Sequence, residues 1–167
     1  ALTGVSFSSL VAAPQARRGA GLLGGLAGDF ALVRYHANGT LDTSFGRGGI
    51  VTTTIGSHLP GSGARALAIQ RDGKLVAAGF CWSHGCGGPA LVRYHANGTL
   101  DESFGRGGIV TTPIGGVSAL AIQQDGKLVA AGSSNNRFAL VRYHANGTLD
   151  RSFGRGGKVT TPIGSGR

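Results

Sequence analysis

Three histidines, His36, His95 and His144, each follow a tyrosine (Tyr35, Tyr94, Tyr143), and each is followed six residues later by an aspartate, Asp42, Asp101 or Asp150. An imidazole beside a carboxylate is a common pair for proton transfer, and the same groups ligate metals. A working site needs such groups to converge. Here every pair is a copy, carried by the stretch Ala-Leu-Val-Arg-Tyr-His-Ala-Asn-Gly-Thr-Leu-Asp that starts at Ala31, Ala90 and Ala139. Copies in successive structural units lie apart, so the expected role is a repeated structural one, with histidine at a strand end and aspartate bonding turn backbone. No serine sits in a nucleophile elbow. The Gly-Arg-Gly-Gly segments lack the Lys-Ser/Thr pair and the helix of a phosphate loop. The sequence therefore predicts no catalytic residue, no metal site, no cofactor and no enzyme.

Other polar residues are candidates for binding. Arg47, Arg106 and Arg155 recur after Phe-Gly and join the three histidines as candidate contacts. The net charge of +9 makes an anionic glycan a conceivable ligand. Nucleic acid is not expected, because no run of like charges occurs and the arginines recur with the repeat. Cys81 and Cys86 bracket Trp82 and His84 in Cys-Trp-Ser-His-Gly-Cys. A small disulfide loop is the expected reading and would indicate an oxidising compartment. Free thiols are one alternative. A metal held with His84 is another, but it lacks a fourth ligand. His58 and His84 stand in long loops and are expected to be exposed. Asn38, Asn97 and Asn146 each open an Asn-Gly-Thr glycosylation sequon. For a bacterial source the plainer reading is that Asn-Gly makes a turn and threonine starts the next strand.

The elements that carry these residues are short. Ala-Leu-Ala-Ile-Gln runs end at Arg-Asp-Gly or Gln-Asp-Gly, Lys-Leu-Val-Ala-Ala-Gly follows, then Ala-Leu-Val-Arg-Tyr-His, and finally Ile-Val-Thr-Thr. Gly73 and Gly126 in the Asp-Gly turns, and Gly39, Gly98 and Gly147 in the Asn-Gly turns, are expected at positive φ, because glycine has no Cβ. Four strands with turns between them make an antiparallel meander, and the unit recurs about every 50 residues, within the range of propeller blades. The runs are apolar on both faces and rich in alanine. A sheet with one wet face would alternate; stacked blades cover each other on both faces. The fold class expected is all-β, with β-propeller-like tandem four-stranded blades, about two and a half to three of them. No apolar run reaches the roughly 20 residues of a membrane span.

Taken together, Ala-Leu-Ala-Ile-Gln-x-Asp-Gly-Lys-Leu-Val-Ala-Ala-Gly, Phe-Ala-Leu-Val-Arg-Tyr-His-Ala-Asn-Gly-Thr-Leu-Asp and Ser-Phe-Gly-Arg-Gly-Gly resemble the delta-60 repeat family of bacterial β-propeller-type repeats, over residues 30–164. The resemblance implies secreted or surface-associated proteins with many tandem copies. It brings no catalytic or ligand residues. Arg47, Arg106 and Arg155 fill a position where that family often has threonine.

The organisation expected is a degenerate segment over 1–28 (a partial first blade or a cap), the second half of blade 1 with its linker over 29–63, blade 2 over 64–115 and blade 3 over 116–167. Gly4-Val5-Ser6 echoes Gly116-Val117-Ser118, after which the match dissolves. So few blades cannot close a ring of four to eight, and no polar cap ends the repeat. The function expected is a non-enzymatic repeat scaffold or surface assembly module. Its partner would be itself, in a head-to-tail dimer or filament, or further repeats of a parent chain. A lectin-like propeller binding a carbohydrate or anionic polymer is the alternative.

Overall fold

Asp-Gly, Asn-Gly and Gly-Gly turns break the alanine-, leucine- and valine-rich runs into strands too short for anything but a meander. The computed structural model describes residues 9–13, 29–55, 63–81, 88–113 and 115–163. Every element among them is a strand, and none of them forms a helix long and apolar enough to cross a membrane. Strands β4 (Gly63–Ile69), β5 (Leu75–Cys81), β6 (Gly88–Tyr94) and β7 (Ile109–Thr111) form one antiparallel sheet in chain order. Strands β8 (Gly116–Ile122), β9 (Leu128–Ser134), β10 (Arg137–Tyr143) and β11 (Lys158–Pro162) repeat it. The two sheets keep one register. Leu75 pairs with Tyr94 as Leu128 pairs with Tyr143, and each first strand is irregular at the same place, Ala64/Ala66 and Val117/Ala119.

The first sheet has three strands, β1 (Ser9–Ala13), β2 (Asp29–Tyr35) and β3 (Ile50–Thr54), again in chain order. The degenerate segment thus contributes a strand, in the place that β5 and β9 take in the other sheets. A signal for it is in the letters: Leu10-Val11-Ala12-Ala13 repeats Leu75-Val76-Ala77-Ala78. Its register is displaced by one residue, since Ser9 rather than a leucine stands opposite the tyrosine, Tyr35. The Gly4-Val5-Ser6 echo lies outside the described residues.

The sheets stack face to face, with β4 against β1, β2 and β8. Side chains alternate across a strand, and the middle sheet feeds two cores. Leu75, Ala77, Val92 and Tyr94 pack with Phe30, Leu32 and Phe45 of the first sheet. Val76, Ala78, Leu91 and Phe104 pack with Leu128, Ala130, Val141 and Tyr143 of the third. Strand β6 is accordingly buried at every residue, whereas β10, with nearly the same sequence, alternates from Ala139 to Tyr143. Both-faced apolar composition is explained by the middle position.

Candidate functional site: the joint between blades

The repeated polar residues meet where one blade joins the next. Each unit carries an arginine two residues before its histidine. The Arg34 Nε donates to Asp42 Oδ2 at 2.7 Å and its Nη2 to Ser44 Oγ at 3.1 Å. The guanidinium lies over the Phe45 ring, 4.7 Å from its centre, a favourable cation–π contact. So fixed, Arg34 Nη1 donates across the blade boundary to the carbonyl of Ala96 at 2.6 Å. Arg93 repeats the set with Asp101, Ser103 and Phe104, and reaches the carbonyl of Ala145 at 2.6 Å.

Three further contacts complete the joint. The Gly46 N–H donates to the Asn97 carbonyl and the Gly105 N–H to the Asn146 carbonyl, both at 2.9 Å. The Tyr94 hydroxyl bonds Thr53 Oγ1, and the Tyr143 hydroxyl bonds Thr112 Oγ1, both at 2.8 Å. Gly98 is buried on Phe45 and Val51, and Gly147 on Phe104 and Val110, so closely that a Cβ would overlap them. Each blade thus offers donors on its Arg and Phe-Gly segments, and the next blade offers the carbonyls of its His-Ala-Asn-Gly turn.

The electrostatics hold the joint in one protonation state. The Ser44 hydroxyl, aided by its N–H and Arg34, outweighs burial and lowers the Asp42 carboxyl to about 2. Burial pushes Asp101 up, but the Ser103 hydroxyl, Lys74, the Ser103 N–H and Arg93 together hold it well below the usual carboxylate range. Asp150 is held low chiefly by the Ser152 hydroxyl, against burial. Burial raises the phenols of Tyr94 and Tyr143 to about 12. Both stay neutral as hydrogen-bonding hydroxyls at ordinary pH.

The other candidates from the sequence fall into place around this joint. His36, His95 and His144 stand about half exposed, each with Nε2 3.8 or 3.9 Å from its own blade's aspartate. The three pairs do not converge, and no cluster of three His, Cys, Asp or Glu fit for a metal occurs among the described residues. Arg47, Arg106 and Arg155 have exposed side chains, while their main-chain N–H groups close the turn onto Ile50, Ile109 and Lys158. Cys81 is buried and disulfide-bonded, with Sγ 3.4 Å from the Ile55 carbonyl oxygen. Cys86, the other cysteine of the sequence, lies outside the described residues, as do His58, Trp82 and His84.

The five turn glycines stand at positive φ, as expected. Gly39, Gly98, Gly147, Gly73 and Gly126 have φ between 81° and 89°. Each is the fourth residue of its turn, donating to the first, as Gly98 does to His95. Asn38, Asn97 and Asn146 are not at positive φ. Instead each Oδ1 accepts from the N–H and hydroxyl of its own sequon threonine, at 3.0 and 2.7 Å. Two-residue turns with both residues left-handed are the Gly-Gly pairs 48–49, 107–108 and 156–157, closed by Arg47, Arg106 and Arg155, and Asn135-Asn136, φ 48° and 58°, between β9 and β10. Asn135-Asn136 contains no glycine and so lacks the Asn-Gly and Asp-Gly signal of the other turns. The joint has no signal of its own in the sequence, since repeated letters show that Arg, Tyr and Thr recur but not which copy each one meets.

Successive antiparallel meanders stacked face to face through a repeated joint define a β-propeller-type protein. A family model described as a domain of unknown function (DUF5122) beta-propeller matches residues 22–45, 70–104 and 123–153, more than half of the chain. The chain belongs to that family. Among curated proteins none matches it.

Proposed function

We propose that the chain is a non-enzymatic scaffold module of the delta-60 repeat type, secreted or held at a cell surface, that works by adding its blades to those of another copy. The observation that carries this reading is a pair of faces made of the same residues. Val76, Ala78, Leu91 and Phe104 of the middle blade are fully covered by blade 3. Val129, Ala131, Leu140 and Phe153 are their counterparts on blade 3, and they are only half-buried. A blade face of several hundred Å² is worth many kcal/mol at about 25 cal/mol per Å², before the costs of association. The aspartates of the three His-Asp pairs hold the arginines of the joint, which supports a structural role for them. The disulfide at Cys81 supports a location outside the reducing cytosol.

Sedimentation at micromolar concentration tests the proposal. The expected species is a closed dimer of about six blades, within the usual range for propellers, or a longer filament. A well-folded monomer would overturn it. A second reading, binding of an anionic glycan, draws on Arg47, Arg106 and Arg155, exposed once per blade. Sugar-specific signal on a glycan array from a monomeric chain would put that reading first.

A further inference from the structure

We infer that the joint has a polarity and that the open faces of blade 1 and blade 3 are its unmated halves, so that blade 3 of one copy receives blade 1 of a second copy. This rests on the self-association reading. The two joints inside the chain are the template: they share the same residue types, and their cross-blade bonds have the same lengths.

Each end carries one half of that template. At the C-terminal end the donors lack acceptors. Arg142 keeps its bonds to Asp150 and Ser152 and its place over Phe153, but its Nη1 and the Gly154 N–H bond nothing among the described residues. Thr161 is exposed where Thr112 is 6 % exposed, and Phe153 is half-buried where Phe45 and Phe104 are fully buried. At the other end the acceptors lack donors. The carbonyls of Ala37 and Asn38 accept no bond among the described residues. Gly39 is exposed and nothing lies near its Cβ position, whereas Gly98 and Gly147 are buried. Tyr35 is half-buried, while Tyr94 and Tyr143 are 0 % and 1 % exposed.

The mating set follows residue by residue. Arg142 Nη1 donates to the partner's Ala37 carbonyl, the Gly154 N–H donates to the partner's Asn38 carbonyl, and Thr161 Oγ1 bonds the partner's Tyr35 hydroxyl. The partner's Gly39 seats on Phe153. Like ends do not mate, because acceptors would face acceptors and donors would face donors; a pairing of unlike ends is heterologous and closes into a ring or runs on as a filament.

Complementation of two blocked variants tests this. Gly39→Asn places a side chain where the joint needs none, and asparagine tolerates the left-handed backbone. Thr161→Arg fills the opposite end at an exposed position. Each variant alone should sediment as a monomer with an unchanged circular dichroism spectrum, and an equal mixture should form dimers and nothing larger. Tyr35→Phe, which removes one hydroxyl, should weaken association about five-fold, equivalent to about 1 kcal/mol. If the unaltered chain associates but either blocked variant still does so alone, or if the mixture stays monomeric, the polarity is wrong and self-association stands. Unchanged association of Tyr35→Phe would also overturn the polarity. If the unaltered chain is a monomer, both readings fail together.

Discussion

Asn97 and Gly98 are adjacent and do different work. Asn97 braces the turn through Thr99, and Gly98 lets it sit flat on the preceding blade. Because the three glycines share one conformation but not one environment, the same substitution separates the two demands. Gly39→Val meets only backbone strain and should cost about 1 kcal/mol. Gly98→Val and Gly147→Val must also displace Phe45 or Phe104 and should cost about 3 kcal/mol or more. Urea titration of the three variants checks this; equal losses at all three would mean that the turn does not bear on the blade before it. The sequon has a related reading: the Asn97 carboxamide that a glycan would modify already holds its own threonine.

A strand's surroundings, not its letters, decide which of its faces is core. Ala78 in β5 and Ala131 in β9 occupy equivalent registers, opposite Leu91 and Leu140. Ala78 is fully buried and Ala131 half-buried. Ala78→Leu should destabilise the fold by about 1–3 kcal/mol. Ala131→Leu should stay within about 0.5 kcal/mol in the dilute chain, as read from thermal unfolding. The four-strand unit was legible because Asp72-Gly73 and Asn97-Gly98 stand between apolar runs of strand length. The strand at Ser9–Ala13 was not, since Pro14 to Gly28 departs from the repeat and hides the match of Leu10–Ala13. The joint was not legible for another reason. Tyr94 and Thr53 lie 41 residues apart in different units, and identical units leave pairing within a unit and pairing between units indistinguishable until the sheets are stacked.

For the molecule as a whole, the joint sets a pH window. Asp42, Asp101 and Asp150 are held ionised in the folded state, so their contribution is present above the ordinary carboxylate value of about 4 and is lost as pH falls through the folded value, about 2 for Asp42. Tyr94 and Tyr143 behave oppositely: kept neutral by burial, they contribute below about pH 10 and the contribution is lost as pH rises toward about 12. Denaturation midpoints should therefore fall on acidification from about pH 4 and on alkalinisation from about pH 10; a midpoint flat across either range would mean that these groups are not held as described. A last consequence concerns the peptide that runs from β7 at Thr111 to β8 at Gly116. The joints inside the chain and the open halves on blades 1 and 3 carry the same residue types, so on the proposed association side chains do not tell a neighbouring blade of the same molecule from a blade of another. What discriminates is tethering. A connector this short holds blade 3 beside blade 2 at an effective concentration on the order of millimolar, far above that of a free copy, and the order of blades is kept by the leash rather than by the lock.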